Sequence, residues 1–178
     1  AENLARARAI ALFPGGFGTH DEGFEILTLA QTGKSDPQPI VCLQAPGCDY
    51  WDDWSAFIVK QLLKRRLINE EDLSLFKVVN SAEAAVEEIS TFYRRYHSIR
   101  FVGKLMAMRL KSPISAEQLE QIQARFGDLL SEGRFELRAA LEEELDEPAI
   151  ASLPRLIFPF NRRSAGRLRQ LIDHVNHL

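Results

Sequence analysis

The sequence is poor in cysteine. It has two, Cys42 and Cys48, and neither belongs to a Cys-x-x-Cys pair. Two cysteines are too few for a disulfide framework, and the four histidines are too scattered to complete a zinc site. We therefore expect a cytoplasmic protein with reduced thiols and no bound metal.

The sequence also lacks long apolar runs and any excess of one charge. Its apolar runs are too short to cross a bilayer, and the N-terminus has no apolar block typical of a secretory signal. The formal net charge is only -3, so composition does not indicate nucleic acid as a main partner. We expect neither a membrane nor a nucleic acid among its partners. No internal repeat or low-complexity segment is present.

What the sequence does have is enough apolar residues, 46% of 178, to bury a core in one or two small domains. Its first half alternates short apolar runs, typical of strands buried on both faces, with helical spacing. The predicted strands are Ala9 to Phe13, Ile40 to Leu43 and Leu75 to Val79. The intervening patterns predict helices from the glycine-rich turn to Gly33, over 51–66, and from Asn80 through Tyr96. Short connections between strands and helices predict a Rossmann-like α/β fold with a parallel sheet.

Near His97 the pattern changes. Ile99 to Leu110 is predicted as one long strand, and Ser115 with Gln118 forms a capping box for the next helix. Two more strands, around 135–139 and 156–160, and a last helix complete the order strand-helix-strand-strand-helix. That order resembles the ferredoxin-like class of small α+β domains. We therefore predict two domains, a Rossmann-like domain over 1–97 and a small α+β domain over 98–178.

Two charged stretches lie in the second half. The acidic segment Glu142 to Glu147 is predicted to be a linker or an exposed edge. Five arginines make the tail locally basic: Arg155, Arg162, Arg163, Arg167 and Arg169. Two interpretations of these arginines are open, an anion site in the second domain or a solvated helix face paired with the acidic segment.

The glycine-rich turn Pro14-Gly15-Gly16-Phe17-Gly18-Thr19 carries the chemistry. Glycines let a backbone approach a ligand closely, and the helix that follows directs unpaired N–H groups and a positive dipole end at the same place. Such a turn binds phosphate, and Thr19 adds a hydroxyl donor. It is neither a Walker loop, since no lysine follows the last glycine, nor a Gly-x-Gly-x-x-Gly dinucleotide loop.

Glu22 follows the turn and has two interpretations. Thr19-His20-Asp21-Glu22 is itself the pattern of a capping box, in which Glu22 bonds only the amide of the N-cap residue. Alternatively, Glu22 is a carboxylate one helical turn from a bound phosphate, able to stabilise the oxocarbenium-like centre of N-glycosidic hydrolysis or to act as a base.

The segment Pro14-Gly15-Gly16-Phe17-Gly18-Thr19-His20-Asp21-Glu22 resembles the PGGxGTxxE signature of the LOG family, the cytokinin-activating nucleoside monophosphate phosphoribohydrolases. The similarity continues through Gly23-Phe24-Glu25 and Leu29 to Lys34, then more loosely to His97. Members of this family were long mislabelled lysine decarboxylases. The chain resembles the longer bacterial branch of the family, which carries a C-terminal extension.

The resemblance implies hydrolysis of a nucleoside 5'-monophosphate, such as AMP, to the free base and ribose 5-phosphate, without a metal or organic cofactor. Gly15, Gly16, Phe17, Gly18 and Thr19 would bind the phosphate and Glu22 would be catalytic. His20 and Glu25 are possible substrate contacts, with an exposed or structural role as the alternative for each. The resemblance also implies a homodimer. A different class of function, a non-catalytic carrier or sensor of a nucleotide or of molybdenum cofactor, would use the same turn.

One family feature is missing. The family places a second catalytic residue, an arginine, before the motif strand, and counting back puts it upstream of Ala1. Arg6 and Arg8 lie too close to the strand to replace it. The resemblance also implies that residues 1–97 are only the C-terminal half of the Rossmann-like nucleotide-binding domain. We therefore expect this chain to be the C-terminal part of a longer protein and, by itself, weakly active or inactive.

Overall fold

The structure is a computed structural model that describes residues 8–178; Arg6, named above, lies outside the described residues. Contacts divide the chain into two compact units. The first contains the described residues up to Thr91 together with Ser164–Gln170, and the second contains Phe92–Arg163 and Leu171–Leu178. The domain boundary at residue 97 stays a prediction. No helix within the described part of the chain is long and apolar enough to cross a membrane.

The first unit is built on a three-stranded parallel sheet, as the sequence predicts. Its strands are β1 (Ile10–Leu12), β2 (Ile40–Leu43) and β3 (Lys77–Val79), in the order β1-β2-β3. Parallel pairing aligns Ile10 with Ile40 and Val41 with Lys77. The sheet confirms an α/β fold consistent with the Rossmann-like class.

A helix follows each of these strands. These helices are α1 (Phe17–Gln31), α2 (Tyr50–Phe57), which continues as a π-helical segment over Ile58–Leu63, and α3 (Ala82–Phe92). Helix α1 ends at Gln31, close to the predicted Gly33, whose φ of 66° and N–H bond to Ala30 O terminate the helix. A 3-10 helix, Glu70–Leu75, precedes β3, and the sequence analysis did not predict it.

Packing corrects several sequence-based assignments in this unit. Strand β1 is not buried on both faces, because Ala11 is exposed at the edge of the sheet. In the predicted helix over 51–66, the buried face consists of Trp51, Trp54 and Ile58, and Phe57 is 50% exposed. Tyr96 was predicted in α3, but that helix ends at Phe92 and Tyr96 begins the next strand.

The second unit contains a four-stranded antiparallel sheet in the order β4-β5-β7-β6. Its elements are β4 (Tyr96–Val102), β5 (Leu105–Leu110), α4 (Ala116–Phe126), β6 (Glu136–Arg138), β7 (Arg155–Phe158) and the C-terminal part of α5 (Ala165–His177). Strands β5 and β6 run in the same direction with β7 between them, because each neighbouring pair is antiparallel. The ferredoxin-like class remains a prediction for this unit.

The predicted long strand over Ile99 to Leu110 is in fact a hairpin. Its two strands pair Val102 with Leu105 and reverse at Gly103, whose φ of 59° suits glycine. Apolar residues on both sides of this turn made the segment resemble one continuous strand. The capping box of α4 is confirmed, with Gln118 N donating to Ser115 Oγ at 3.1 Å and Ser115 N donating to Gln118 Oε1 at 2.9 Å.

The acidic segment Glu142 to Glu147 is not a linker or an exposed edge. Glu144 is completely buried and accepts hydrogen bonds from Arg109 Nε at 2.8 Å and Arg155 Nε at 3.3 Å. Glu147 accepts from Arg100 and Arg109, each at 2.8 Å. The segment is therefore attached to the sheet of the second unit by charged hydrogen bonds. Arg155 and Arg169 of the basic tail are also buried, so a solvated helix face does not describe them.

Candidate functional site

The glycine-rich turn lies at the carboxyl edge of the parallel sheet. Strand β1 ends at Leu12, and the turn leads from it directly into α1. Gln44 follows β2 and Asn80 follows β3, so both lie at the same edge. Open α/β sheets bind their ligands at this edge.

Helix α1 begins earlier than a capping box at Thr19 would require. Its N-cap residue is Gly16, which offers no side chain, and Thr19 is already inside the first turn, with its N–H donating to Gly16 O at 3.1 Å. The capping-box interpretation of Thr19 and Glu22 is therefore wrong. Glu22 lies one turn further along α1, and its exposed carboxylate makes no hydrogen bond or ion pair with any described residue.

Unbonded backbone amides surround the start of α1. The N–H groups of Gly16, Phe17 and Gly18 donate to no acceptor in the described part of the chain. They are the amides that a helix N-terminus leaves without an intrahelical partner. Because no N-cap side chain bonds them either, an anionic ligand can accept from all three.

Space around the turn is uneven. A Cβ on Gly15 would lie 2.2 Å from Thr19 Oγ1, whereas a Cβ on Gly16 or Gly18 would meet no atom within 4 Å. The Thr19 hydroxyl thus packs directly on Gly15, while Gly16 and Gly18 border open space. Gly23 allows α1 to pack closely on β1, because a Cβ at this position would lie 3.3 Å from Leu12 Cδ1.

Tyr50, at the first position of α2, reaches back to the turn. Its hydroxyl lies 2.6 Å from Gly15 O and 2.8 Å from His20 Nε2, and its ring stacks on the His20 ring at 5.7 Å. A carbonyl oxygen only accepts, so Tyr50 donates to Gly15 and His20 Nε2–H donates to Tyr50. This network places a hydrogen on Nε2 of His20.

Gln44 fixes the loop that carries Tyr50. Its buried side chain donates to Asp52 Oδ2 at 2.6 Å and to Asn80 Oδ1 at 3.1 Å, and it accepts from Trp51 N at 2.7 Å. These bonds tie the start of α2 to the ends of β2 and β3. The aromatic rings of Tyr50 and Trp51 then pack edge to face at 4.9 Å.

The structure therefore brings together most of the predicted site residues. Thr19, His20 and Glu22 lie in the first turns of α1, next to the three glycines of the turn, and Phe17 is 97% exposed beside them. Glu25 is exposed one turn beyond Asp21 and makes no hydrogen bond or ion pair with a described residue. Their roles stay predictions.

Sequence reasoning missed the contact between Tyr50 and the turn. Nothing in the local sequence pattern relates Tyr50 to Gly15, which lies 35 positions away. Gln44 was not singled out at all. Its only sequence signal is an amide residue directly after a buried strand.

Three further observations concern other possible sites. Within residues 8–178, no group of three or more His, Cys, Asp or Glu side chains is placed to hold a metal ion. The second unit has an open cleft of about 270 Å³ bordered by residues of β6, β7 and the turns beside them, and it contains none of the residues of the glycine-rich turn. Burial raises the pKa of the Cys42 thiol to about 12, so this cysteine is not a nucleophile at neutral pH.

Comparison with known proteins agrees with the motif. Residues 2–89 match the family model described as possible lysine decarboxylase. A search of curated proteins gave no match. The matched residues contain the whole parallel sheet, the glycine-rich turn and Glu22. Over these residues the chain matches the LOG family, whose model still carries the older decarboxylase description.

Proposed function

We propose that the protein hydrolyses the N-glycosidic bond of a nucleoside 5'-monophosphate, giving the free base and ribose 5-phosphate. The observation that carries this proposal is the pairing of three unbonded amides at the start of α1 with the free carboxylate of Glu22 one turn along the same helix. The amides suit the phosphate, and the carboxylate suits the reacting sugar.

The phosphate is bound by the turn. The amides of Gly16, Phe17 and Gly18 donate to its oxygens, the Thr19 hydroxyl adds a further donor, and the positive end of the α1 dipole favours its charge. Open space at Gly16 and Gly18 lets the oxygens approach the backbone closely. This contact uses no lysine or arginine side chain, since the turn contains neither residue.

Glu22 acts on the sugar. It follows Gly18 by four residues and Thr19 by three, spacings that place side chains on one face of a helix. When the bond between the sugar C1' and the base nitrogen breaks, its electron pair leaves with the base, which takes up a proton, and positive charge develops on the ribose. The carboxylate stabilises that charge or removes a proton from the attacking water, whose oxygen bonds to C1'.

Family membership supports the reaction class. The LOG family suggests a phosphoribohydrolase, and the decarboxylase description has little chemical support, because the motif places no lysine to hold a pyridoxal aldehyde. We further propose an AMP-like substrate, a homodimer and a cytoplasmic location.

The test is an assay of the protein expressed from its complete gene, incubated with AMP and GMP while free base is followed by chromatography. Glu22→Gln keeps the size of the side chain and removes its charge, and we expect base release to fall about 100-fold or more. Asp21→Asn is the matched control, since Asp21 is the exposed acid next to it on α1. AMP binding should survive in both variants.

Either part of the proposal can fail alone. Base release that is unaffected by Glu22→Gln would remove Glu22 from the mechanism. Tight binding of AMP with no release of base from the wild-type protein would instead favour a nucleotide carrier or sensor that uses the same turn.

A further inference from the structure

We infer that Tyr50 is a positioning residue: it sets the direction of the Gly16 N–H and thereby the affinity of the turn for phosphate. His20, which is hydrogen-bonded to the Tyr50 hydroxyl, supports it in this role. The inference rests on the phosphate site of the proposed function and not on the hydrolysis step. It follows from the bond between Tyr50 and Gly15 and from the geometry of the peptide unit.

Gly15 O and Gly16 N belong to one peptide group. In a trans peptide the C=O and N–H bonds point to opposite sides, so fixing one fixes the other. Tyr50 holds Gly15 O at 2.6 Å, on the side of α2. The Gly16 N–H is therefore directed away from Tyr50, and it is one of the three amides that have no acceptor among residues 8–178.

Without the hydrogen bond from Tyr50, little fixes the orientation of the Gly15–Gly16 peptide group. Gly15 and Gly16 have no side chains, and glycine allows backbone conformations that other residues do not. A rotation of the Gly15–Gly16 peptide would turn a carbonyl oxygen toward the phosphate position in place of an N–H. Such a rotation replaces an attractive contact with a repulsive one.

His20 completes the arrangement. A tyrosine hydroxyl has one hydrogen, and the Nε2–H of His20 occupies a lone pair of the same oxygen at 2.8 Å, which keeps the hydrogen on the side of Gly15. The stacked rings and the edge contact with Trp51 hold the hydroxyl in place. Gln44 in turn fixes the backbone of Trp51, so the support extends to the ends of β2 and β3.

The experiment measures the affinity of the protein from its complete gene for AMP and for adenosine, by calorimetry. Adenosine lacks only the phosphate, so the ratio of the two dissociation constants reports phosphate recognition. We expect Tyr50→Phe, which keeps the ring and removes the hydroxyl, to lower the preference for AMP about tenfold. Thr28→Val is the matched control, because it removes another hydroxyl that bonds a backbone carbonyl, Phe24 O, on α1.

A second pair of variants separates positioning from simple damage. His20→Gln keeps an N–H donor for Tyr50 and should retain most of the preference for AMP, whereas His20→Leu should lose it. A Tyr50→Phe protein that keeps the wild-type ratio would overturn the inference and leave the proposed function standing. A wild-type protein with no preference for AMP would overturn both. A preference that depends on Tyr50 in a protein that releases no base would support the inference and refute hydrolysis.

Discussion

Glu144 accepts a hydrogen bond from Arg109 Nε at 2.8 Å although both side chains are almost inaccessible to solvent. Arg155, opposite Arg109 on the neighbouring strand, binds the same carboxylate. The buried carboxylate of Glu144 therefore pairs with two buried arginines. Arg109 also pairs with a second carboxylate, that of Glu147, at 2.8 Å.

Removing the charge of Glu144 should destabilise the protein strongly. Glu144→Gln leaves two buried guanidinium groups with too little negative charge, and breaking a buried pair in this way costs about 3 kcal/mol or more. Urea denaturation measures the loss. The control is Glu143→Gln, an exposed neighbour that should change stability by less than about 0.5 kcal/mol. Equal stability of the two variants would contradict the role given to Glu144.

Stability should also depend on pH through this carboxylate. Burial alone would raise the pKa of Glu144, but hydrogen bonds from Leu141 N–H, Arg109 and Arg155 outweigh it and hold the pKa below its ordinary value of 4.5. A lowered pKa in the folded state stabilises the protein above pH 4.5, and that stabilisation is lost as the pH falls toward the folded pKa. Urea denaturation between pH 7 and pH 3 should show this loss in the wild type. Glu144→Gln should show a flatter profile.

The two adjacent glycines of the turn should respond differently to alanine. Gly15→Ala places a methyl group 2.2 Å from Thr19 Oγ1, so the Thr19 side chain must change rotamer and move its hydroxyl. We expect a destabilisation of about 1 kcal/mol, relieved when Thr19→Ala is combined with it. Gly16→Ala meets no atom within 4 Å and should leave thermal stability unchanged. If Gly16→Ala also left AMP binding unchanged, close approach of phosphate at Gly16 would be refuted.

Gly166 should tolerate no side chain. A Cβ there would lie 2.2 Å from Glu71 O and 2.8 Å from Asp72 N, which are backbone atoms of the 3-10 helix before β3 and cannot rotate away. We expect Gly166→Ala to destabilise the first unit by about 3 kcal/mol. Gly127→Ala, where the new methyl would be 3.6 Å from Gln123 Nε2, is the control. Thermal unfolding of the two variants gives the comparison.

The sequence predicted features that depend on short-range patterns. The alternation of apolar runs predicted the parallel strands, and Ser115 with Gln118 predicted the start of α4. Each of these signals is complete within a few neighbouring residues. The glycine-rich turn was likewise placed correctly between β1 and α1.

Features that depend on distant partners could not be predicted in this way. The charges of the acidic segment indicated solvent exposure, because the arginines that bury Glu144 lie 35 and 11 residues away. The Thr19–Glu22 pattern suggested a capping box, since the sequence does not show that Gly16 has already begun the helix. Tyr50 and Gly15 meet only after β2 has placed α2 beside the turn.

The first residues of helix α5, up to Gln170, belong to the first compact unit, and its remaining residues belong to the second. In the first unit Gln170 bonds Ser74, and Arg169 pairs with Glu88 at 2.7 Å. In the second unit Asn176 accepts from the backbone N–H groups of Arg95 and Tyr96. Truncating the gene at a single point therefore cannot produce either unit with all of its residues. Recombination that exchanges one unit between related genes would also have to exchange part of helix α5.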